Sequence, residues 1–131
     1  DRQPPKSTGR EYFNLNWLSD KLSIFPQVKS GAVLATLNQL TAKLVARSVP
    51  PEIDILLVCG GGVHNLHLME LIDNSVDALV MSTEEFSIDP DYVEAACFGW
   101  LGLQALRRNA LDLRSTTGSS SIGCVGSLIY P

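Results

Sequence analysis

The hydrophobic positions of this chain change spacing several times between residues 30 and 108, and each change marks an element. Val33, Leu37, Leu40 and Leu44 recur at helical intervals, which predicts an amphipathic helix over 30–48. Ser30 is its candidate N-cap and Pro50-Pro51 its stop. The run Ile53-Asp54-Ile55-Leu56-Leu57-Val58-Cys59 is short, apolar and β-branched, as in a buried parallel strand, so strand and glycine turn are placed at 53–59. A helical pattern follows from about His64 to Ile72, then a second strand at Ala78-Leu79-Val80-Met81. Asp89-Pro90 offers an N-cap and a proline at the first helical position, opening a helix over 89–108. The middle of that helix, Ala95 to Leu101, is apolar on every side and predicts burial on more than one face.

The order helix, strand, helix, strand, helix predicts an α/β fold with parallel strands joined by right-handed crossovers. The whole of 1–131 is taken as a single α/β domain. Residues 1–12 read as a loop rich in proline and small polar residues, and the abrupt start suggests a piece of something longer. Tyr12 to Leu18 reads as a short amphipathic turn or helix ending before Ser19. Ser115 to Ser121 reads as a loop, and the apolar segment Gly123 to Pro131 is expected to dock on the body. Two strands make a thin sheet, so further strands are expected elsewhere.

Composition narrows the classes. The 131 residues suffice for one domain with a core. A net charge of −4 gives no general electrostatic case for nucleic acid or an anionic membrane. No apolar stretch reaches the roughly 20 residues that span a bilayer, and no apolar signal core stands at the start. The three cysteines, Cys59, Cys97 and Cys124, are widely spaced without a C-x-x-C pair, which fits a reducing cytoplasm better than disulfides or zinc. His64 and His67 lack further ligands at suitable spacing, so surface or capping roles are expected and no metal-ligating residues are assigned. Trp17 and Trp100 are expected in the core, and Glu84-Glu85 on a solvated loop.

The candidate chemistry lies in Cys59-Gly60-Gly61-Gly62-Val63-His64-Asn65. Glycines remove every Cβ from a strand-to-helix turn, so backbone N–H groups can approach a ligand closely. The next helix aims its positive end at the same place, where open α/β sheets bind ligands. This suits a phosphate or nucleotide. The pattern is not G-x-x-x-x-G-K-[ST], since no Lys-Ser or Lys-Thr pair follows the turn, and not G-x-G-x-x-G, because Leu66 and His67 stand where a later glycine is wanted. A dinucleotide site also lacks its acidic ribose partner, since Glu84 and Glu85 lie beyond the second strand. Asn65 either caps the following helix or lines the turn.

Several motifs together resemble the anhydro-N-acetylmuramic acid kinases. Pro4-Pro5-Lys6-Ser7-Thr8-Gly9-Arg10-Glu11-Tyr12-Phe13-Asn14 is similar to the family's PPKSTGRE-x-FN motif. Ala35-Thr36-Leu37 with Leu40-Thr41-Ala42 resembles its next segment. The turn Cys59 to Asn65 resembles its CGGGxxN adenosine loop, and Ile88 to Ala95 its I-x-x-D-x-x-E-A segment. Thr117-Gly118 with Gly126-Ser127-Leu128-Ile129-Tyr130-Pro131 resembles its TG…LGAIYP terminus. His64 stands where the family commonly has Ala or Arg, and Thr116 where Val is usual. The family's first phosphate loop and catalytic aspartate are not found in this chain.

The resemblance implies the C-terminal half of an actin-like (RNase H-like) sugar-kinase fold, a mixed sheet packed with helices. It implies ATP and Mg2+ as cofactors, an anhydro amino sugar as substrate, and a cell-wall recycling reaction in the cytoplasm. Gly60, Gly61, Gly62 and Asn65 are then nucleotide-binding, and Lys6, Ser7, Thr8, Arg10 and Glu94 substrate-binding. No residue of this chain is assigned as catalytic. The implied partner is an N-terminal kinase lobe, and a homodimer is compatible with the resemblance. The alternative is a non-catalytic nucleotide-binding or interaction module on the same half-fold, since fold alone does not choose between them.

Overall fold

The computed structural model describes residues 8–127 and 129. Lys6 and Ser7 lie outside the described residues, as do Leu128, Tyr130 and Pro131 of the terminal motif. In chain order the elements are α1 (Leu15–Leu22), α2 (Ser30–Ala46), β1 (Ile55–Val58), a 3₁₀ turn (Gly61–His64) and α3 (Leu66–Asp73). There follow β2 (Leu79–Ser82), a second 3₁₀ turn (Thr83–Phe86), α4 (Val93–Leu106) and a short α5 (Arg114–Thr117). Among the described residues no helix is long and apolar enough to cross a membrane. Contacts cluster into two compact units. One is Val28–Ala96; the other takes the described residues up to Gln27 and those from Cys97 onward.

In the unit Val28–Ala96, β1 and β2 form a parallel two-stranded sheet, with Ile55 opposite Leu79 and Val58 opposite Ser82. A parallel pair needs a crossover, and α3 lies on it. Helix α2 packs against α3. Ala42 of α2, Ile72 of α3 and Ala78 just before β2 are buried, as is Pro90. The fold is therefore α/β, with a small parallel sheet and helices.

The core is thinner than the hydrophobic pattern predicts. Ile55 and Leu57 are 45% and 42% exposed, so β1 is covered on one face only, not buried on both. Side chains alternate along a strand, and the better-covered face is that of Leu56, Val58 and Val80. On α2 the stripe Val33, Leu37, Leu40, Leu44 is only partly covered, and the fully buried residue is the small Ala42. A small side chain at a helix–helix contact lets the axes approach. Ser30 is the first helical residue and not the cap, because extended Lys29 takes that position without a side-chain bond.

The helix expected at 89–108 begins later. Asp89 Oδ1 accepts a hydrogen bond from Asp91 N at 2.9 Å, and Tyr92 N donates to Asp89 O at 3.1 Å. Asp89 therefore closes a side-chain turn and does not cap the helix. Helix α4 starts at Val93 and ends at Leu106. Its end is a Schellman arrangement: Arg108 N donates to Ala105 O and Asn109 N to Gln104 O, with Arg108 left-handed at φ 55°. The expected burial of α4 is absent: it has no buried residue, Phe98 is 65% exposed and Trp100 51%. An all-round apolar helix shows what it can bury, not that the neighbours to bury it are present.

In the other unit, Asn14 Oδ1 accepts from Trp17 N at 3.0 Å and starts α1, which continues past Ser19 to Leu22. Phe13 packs edge-on against Tyr12 and Trp17, and Trp17 is half-buried. Leu111 and Gly123 exchange hydrogen bonds in an antiparallel bridge. The predicted loop Ser115 to Ser121 instead begins with a helical turn, α5, closed by left-handed Gly118. Beyond the Gly123 bridge, Ile129 is 92% exposed, so that residue is not docked.

Candidate functional site

Gly60 is where the backbone itself demands glycine. Its φ of 81° with ψ 175° is a region other residues enter only with strain. Gly61 and Gly62 have ordinary φ and begin the 3₁₀ turn. A Cβ added at Gly61 meets nothing within 4 Å, and one at Gly62 meets only Leu68 Cδ2 at 3.6 Å. The backbone thus explains Gly60, open space lies over Gly61, and a Cβ at Gly62 would sit in ordinary contact with Leu68. The N–H groups of Gly61 and Gly62 take no backbone acceptor among the described residues, whereas Gly60 N donates to Pro90 O at 2.8 Å.

The positive end of a helix does not follow the glycines directly. The 3₁₀ turn intervenes, and α3 starts at Leu66 because Asn65 takes its N-cap. Asn65 Oδ1 accepts from Leu68 N at 3.1 Å, and Asn65 Nδ2 donates to Asn38 Oδ1 on α2 at 3.2 Å. Asn65 is thus a cap and also a link between elements. Asn38 escaped the sequence reading; an asparagine in mid-helix, a poor helix former, was the available signal.

The second link was not legible at all. His64 Nε2 lies 3.0 Å from both Oδ1 and Oδ2 of Asp91, 27 residues away in sequence. The segment Asp89 to Tyr92 is therefore attached to the glycine turn at two points, Gly60–Pro90 and His64–Asp91. His67 Nδ1 lies 3.9 Å from Glu70 Oε2.

Glu94 follows in the first turn of α4, where the helix N-terminus favours a carboxylate. It is exposed, and its carboxylate accepts no hydrogen bond among the described residues. Because α4 has no buried residue, burial gives this carboxylate no need of a polar partner. Thr8 and Arg10 are exposed and belong to the other unit. Arg10 sits in a hydrogen-bonded turn, with Gly9 O accepting from Tyr12 N and Phe13 N, and is not on a structureless loop. Glu84 and Glu85 lie on the second 3₁₀ turn. Thr83, one residue past the Val58–Ser82 pair, is buried, and its hydroxyl has no partner among the described residues. Among the described residues no three His, Cys, Asp or Glu side chains converge to hold a metal ion. A cavity of about 310 Å3, lined by Ala46, Pro50, Ile53, Asn74, Asp77 and Ala78 among others, opens before the starts of both strands, away from the glycines.

Comparison with known proteins gives one consistent answer. A family model for anhydro-N-acetylmuramic acid kinase matches residues 1–131. An anhydro-N-acetylmuramic acid kinase of Pseudomonas fluorescens (strain Pf0-1) is 44% identical over 98% of this chain and 36% of its own length. Proteins of the same name from Coxiella burnetii (strain Dugway 5J108-111) and Legionella pneumophila (strain Lens) are 42% and 40% identical over 97% of this chain. The chain spans 35% of the length of each of those two relatives. With a match from its first residue to its last, the chain belongs to the anhydro-N-acetylmuramic acid kinase family.

Proposed function

We propose that this chain is the C-terminal nucleotide-binding portion of an ATP-dependent kinase of cell-wall amino-sugar recycling. The reaction moves the ATP γ-phosphate to the 6-position of 1,6-anhydro-N-acetylmuramic acid and opens the anhydro ring hydrolytically, giving N-acetylmuramic acid 6-phosphate. The observation that carries this reading is the open space over Gly61, where the fold has no need of a glycine and a ligand can approach the backbone. Free N–H groups beside that space suit the adenosine end of a nucleotide or its phosphates. Asn65 holds the turn in place, and Glu94 accepts hydrogen bonds from the sugar. Lys6, Ser7, Thr8 and Arg10 contribute to the substrate side.

Phosphoryl transfer depends on positioning and charge stabilisation, so both lips of a cleft are needed. The second lip is the N-terminal lobe of an actin-like fold, carried by the length of the relatives that this chain does not span. Mg2+ enters through the family alone, since among the described residues no three His, Cys, Asp or Glu side chains converge to hold it. A cytoplasmic location goes with this reading. The test is a coupled assay with ATP and the anhydro sugar. The 131-residue chain stays at background and the full-length protein turns over. Turnover well above blank by the chain alone, abolished by Gly61→Asp, contradicts the division of labour.

A further inference from the structure

We infer that His64 and Asp91 are positioning residues that couple the glycine turn to the helix start carrying Glu94, so that occupancy of either site is felt at the other. The inference rests on the nucleotide and sugar reading above. Its basis is a two-point attachment. Gly60 N donates to Pro90 O at 2.8 Å, and one hydrogen bond between two segments is a pivot. His64 Nε2, four residues further along the turn, meets both Asp91 carboxylate oxygens at 3.0 Å. The second attachment fixes the angle that the first leaves free.

Each segment is braced internally, so a displacement is transmitted and not absorbed. On the glycine side, Val63 N donates to Gly60 O at 3.0 Å and Asn65 N to Gly62 O at 3.1 Å. On the other side, Asp91 N donates to Asp89 Oδ1 at 2.9 Å and Tyr92 N to Asp89 O at 3.1 Å. Ala96 N then donates to Tyr92 O at 2.9 Å, which carries the constraint past Glu94 into α4. The pair is no stability device. Its side chains are 61% and 52% exposed, where ion pairs contribute little to folding. An arginine at position 64 offers Asp91 the same kind of partner and an alanine offers none, so the link can be removed and restored by substitution.

The test is the thermodynamic coupling between the two ligands in the full-length protein. Calorimetry gives the Kd of 1,6-anhydro-N-acetylmuramic acid without and with a saturating non-hydrolysable ATP analogue, and the ratio of the two is the coupling. His64→Ala and Asp91→Ala each move that ratio toward one by about two- to fivefold, the range an exposed pair can provide. The double variant goes no further than either single one, and His64→Arg restores the wild-type ratio. If an alanine variant does not fold, Asp91→Asn carries the same comparison. An unchanged ratio in the folded single variants overturns the inference, as does a wild-type ratio of one when both ligands bind. A purely structural pair lowers Tm in the variants and leaves the ratio alone, which also overturns it. If the wild-type protein binds no analogue at all, the proposed function fails first and the coupling with it.

Discussion

Asn65 Nδ2 donates to Asn38 Oδ1 at 3.2 Å while Asn65 Oδ1 accepts from Leu68 N at 3.1 Å, so one side chain caps α3 and ties it to α2. The two halves of the amide can be separated by substitution. Asn65→Ala removes both and is expected to cost about 1 kcal/mol for the cap alone. Asn65→Asp keeps the acceptor, and its charge suits the helix start, so it loses only the tie. Asn38→Ala also loses only the tie, about 0.5 kcal/mol. Urea denaturation should rank Asn65→Ala as the most damaging. Equal losses for Asn65→Ala and Asn65→Asp would show that the cap contributes nothing.

The proposed sugar-binding role of Glu94 can be separated from a purely structural one. As a mere partner of the α4 dipole, Glu94→Gln costs about 0.3–1 kcal/mol of stability and leaves kinetics alone. As a sugar ligand, the same change in the full-length enzyme preserves the fold and ATP affinity. It then lowers kcat/KM for the sugar at least about tenfold, close to 1.4 kcal/mol of transition-state binding. We predict the second outcome. Wild-type sugar kinetics in a folded variant return Glu94 to the helix dipole.

Arg108 holds the left-handed position of the α4 terminus that glycine usually fills. A left-handed non-glycine residue is strained by about 1–2 kcal/mol, partly offset by the backbone entropy glycine loses on folding. Arg108→Gly is therefore expected to stabilise the protein by about 0.5–1 kcal/mol, visible as a higher urea midpoint. A lower midpoint would mean that the arginine side chain does something its backbone geometry does not reveal.

Asp112 and Arg114 form a two-pronged pair, Nε to Oδ1 at 2.8 Å and Nη2 to Oδ2 at 2.7 Å. The guanidinium side chain, with help from Arg114 N–H, holds the Asp112 carboxyl below its ordinary value of 3.8, and the carboxylate raises Arg114 in return. A carboxyl lowered in the folded state stabilises above its unfolded value, and that contribution disappears as pH falls through the lowered one. Arg114→Ala should move the Asp112 titration, followed by NMR, upward toward 3.8. No movement means the pair does not persist in solution.

The sequence pattern located elements better than it located burial. Strand β1 and the glycine turn were legible because a β-branched run ending in Gly60-Gly61-Gly62 has few alternative conformations. Helix α4 was legible as a helix, but its start was misplaced by three residues: Asp89 can bond Asp91 N as readily as it can cap, and local sequence does not choose. Burial failed at Ile55, Phe98 and Trp100 because it depends on neighbours far away in sequence or beyond this chain. The tie from His64 to Asp91 failed for the same reason, being a contact between polar residues on two turns with no periodicity to announce it.

The proposed binding of the nucleotide at the glycine turn is tested most directly by glycine substitutions, because fold and ligand make different demands on the three positions. Gly60→Ala strains a backbone at φ 81° and should cost about 1–3 kcal/mol of stability. Gly61 faces open space, so Gly61→Asp should leave Tm nearly unchanged. The decisive measurement is calorimetric affinity for a non-hydrolysable ATP analogue in the full-length protein carrying Gly61→Asp. A folded variant whose affinity falls at least about tenfold, or 1.4 kcal/mol, is expected. An unchanged Kd in that folded variant would contradict it.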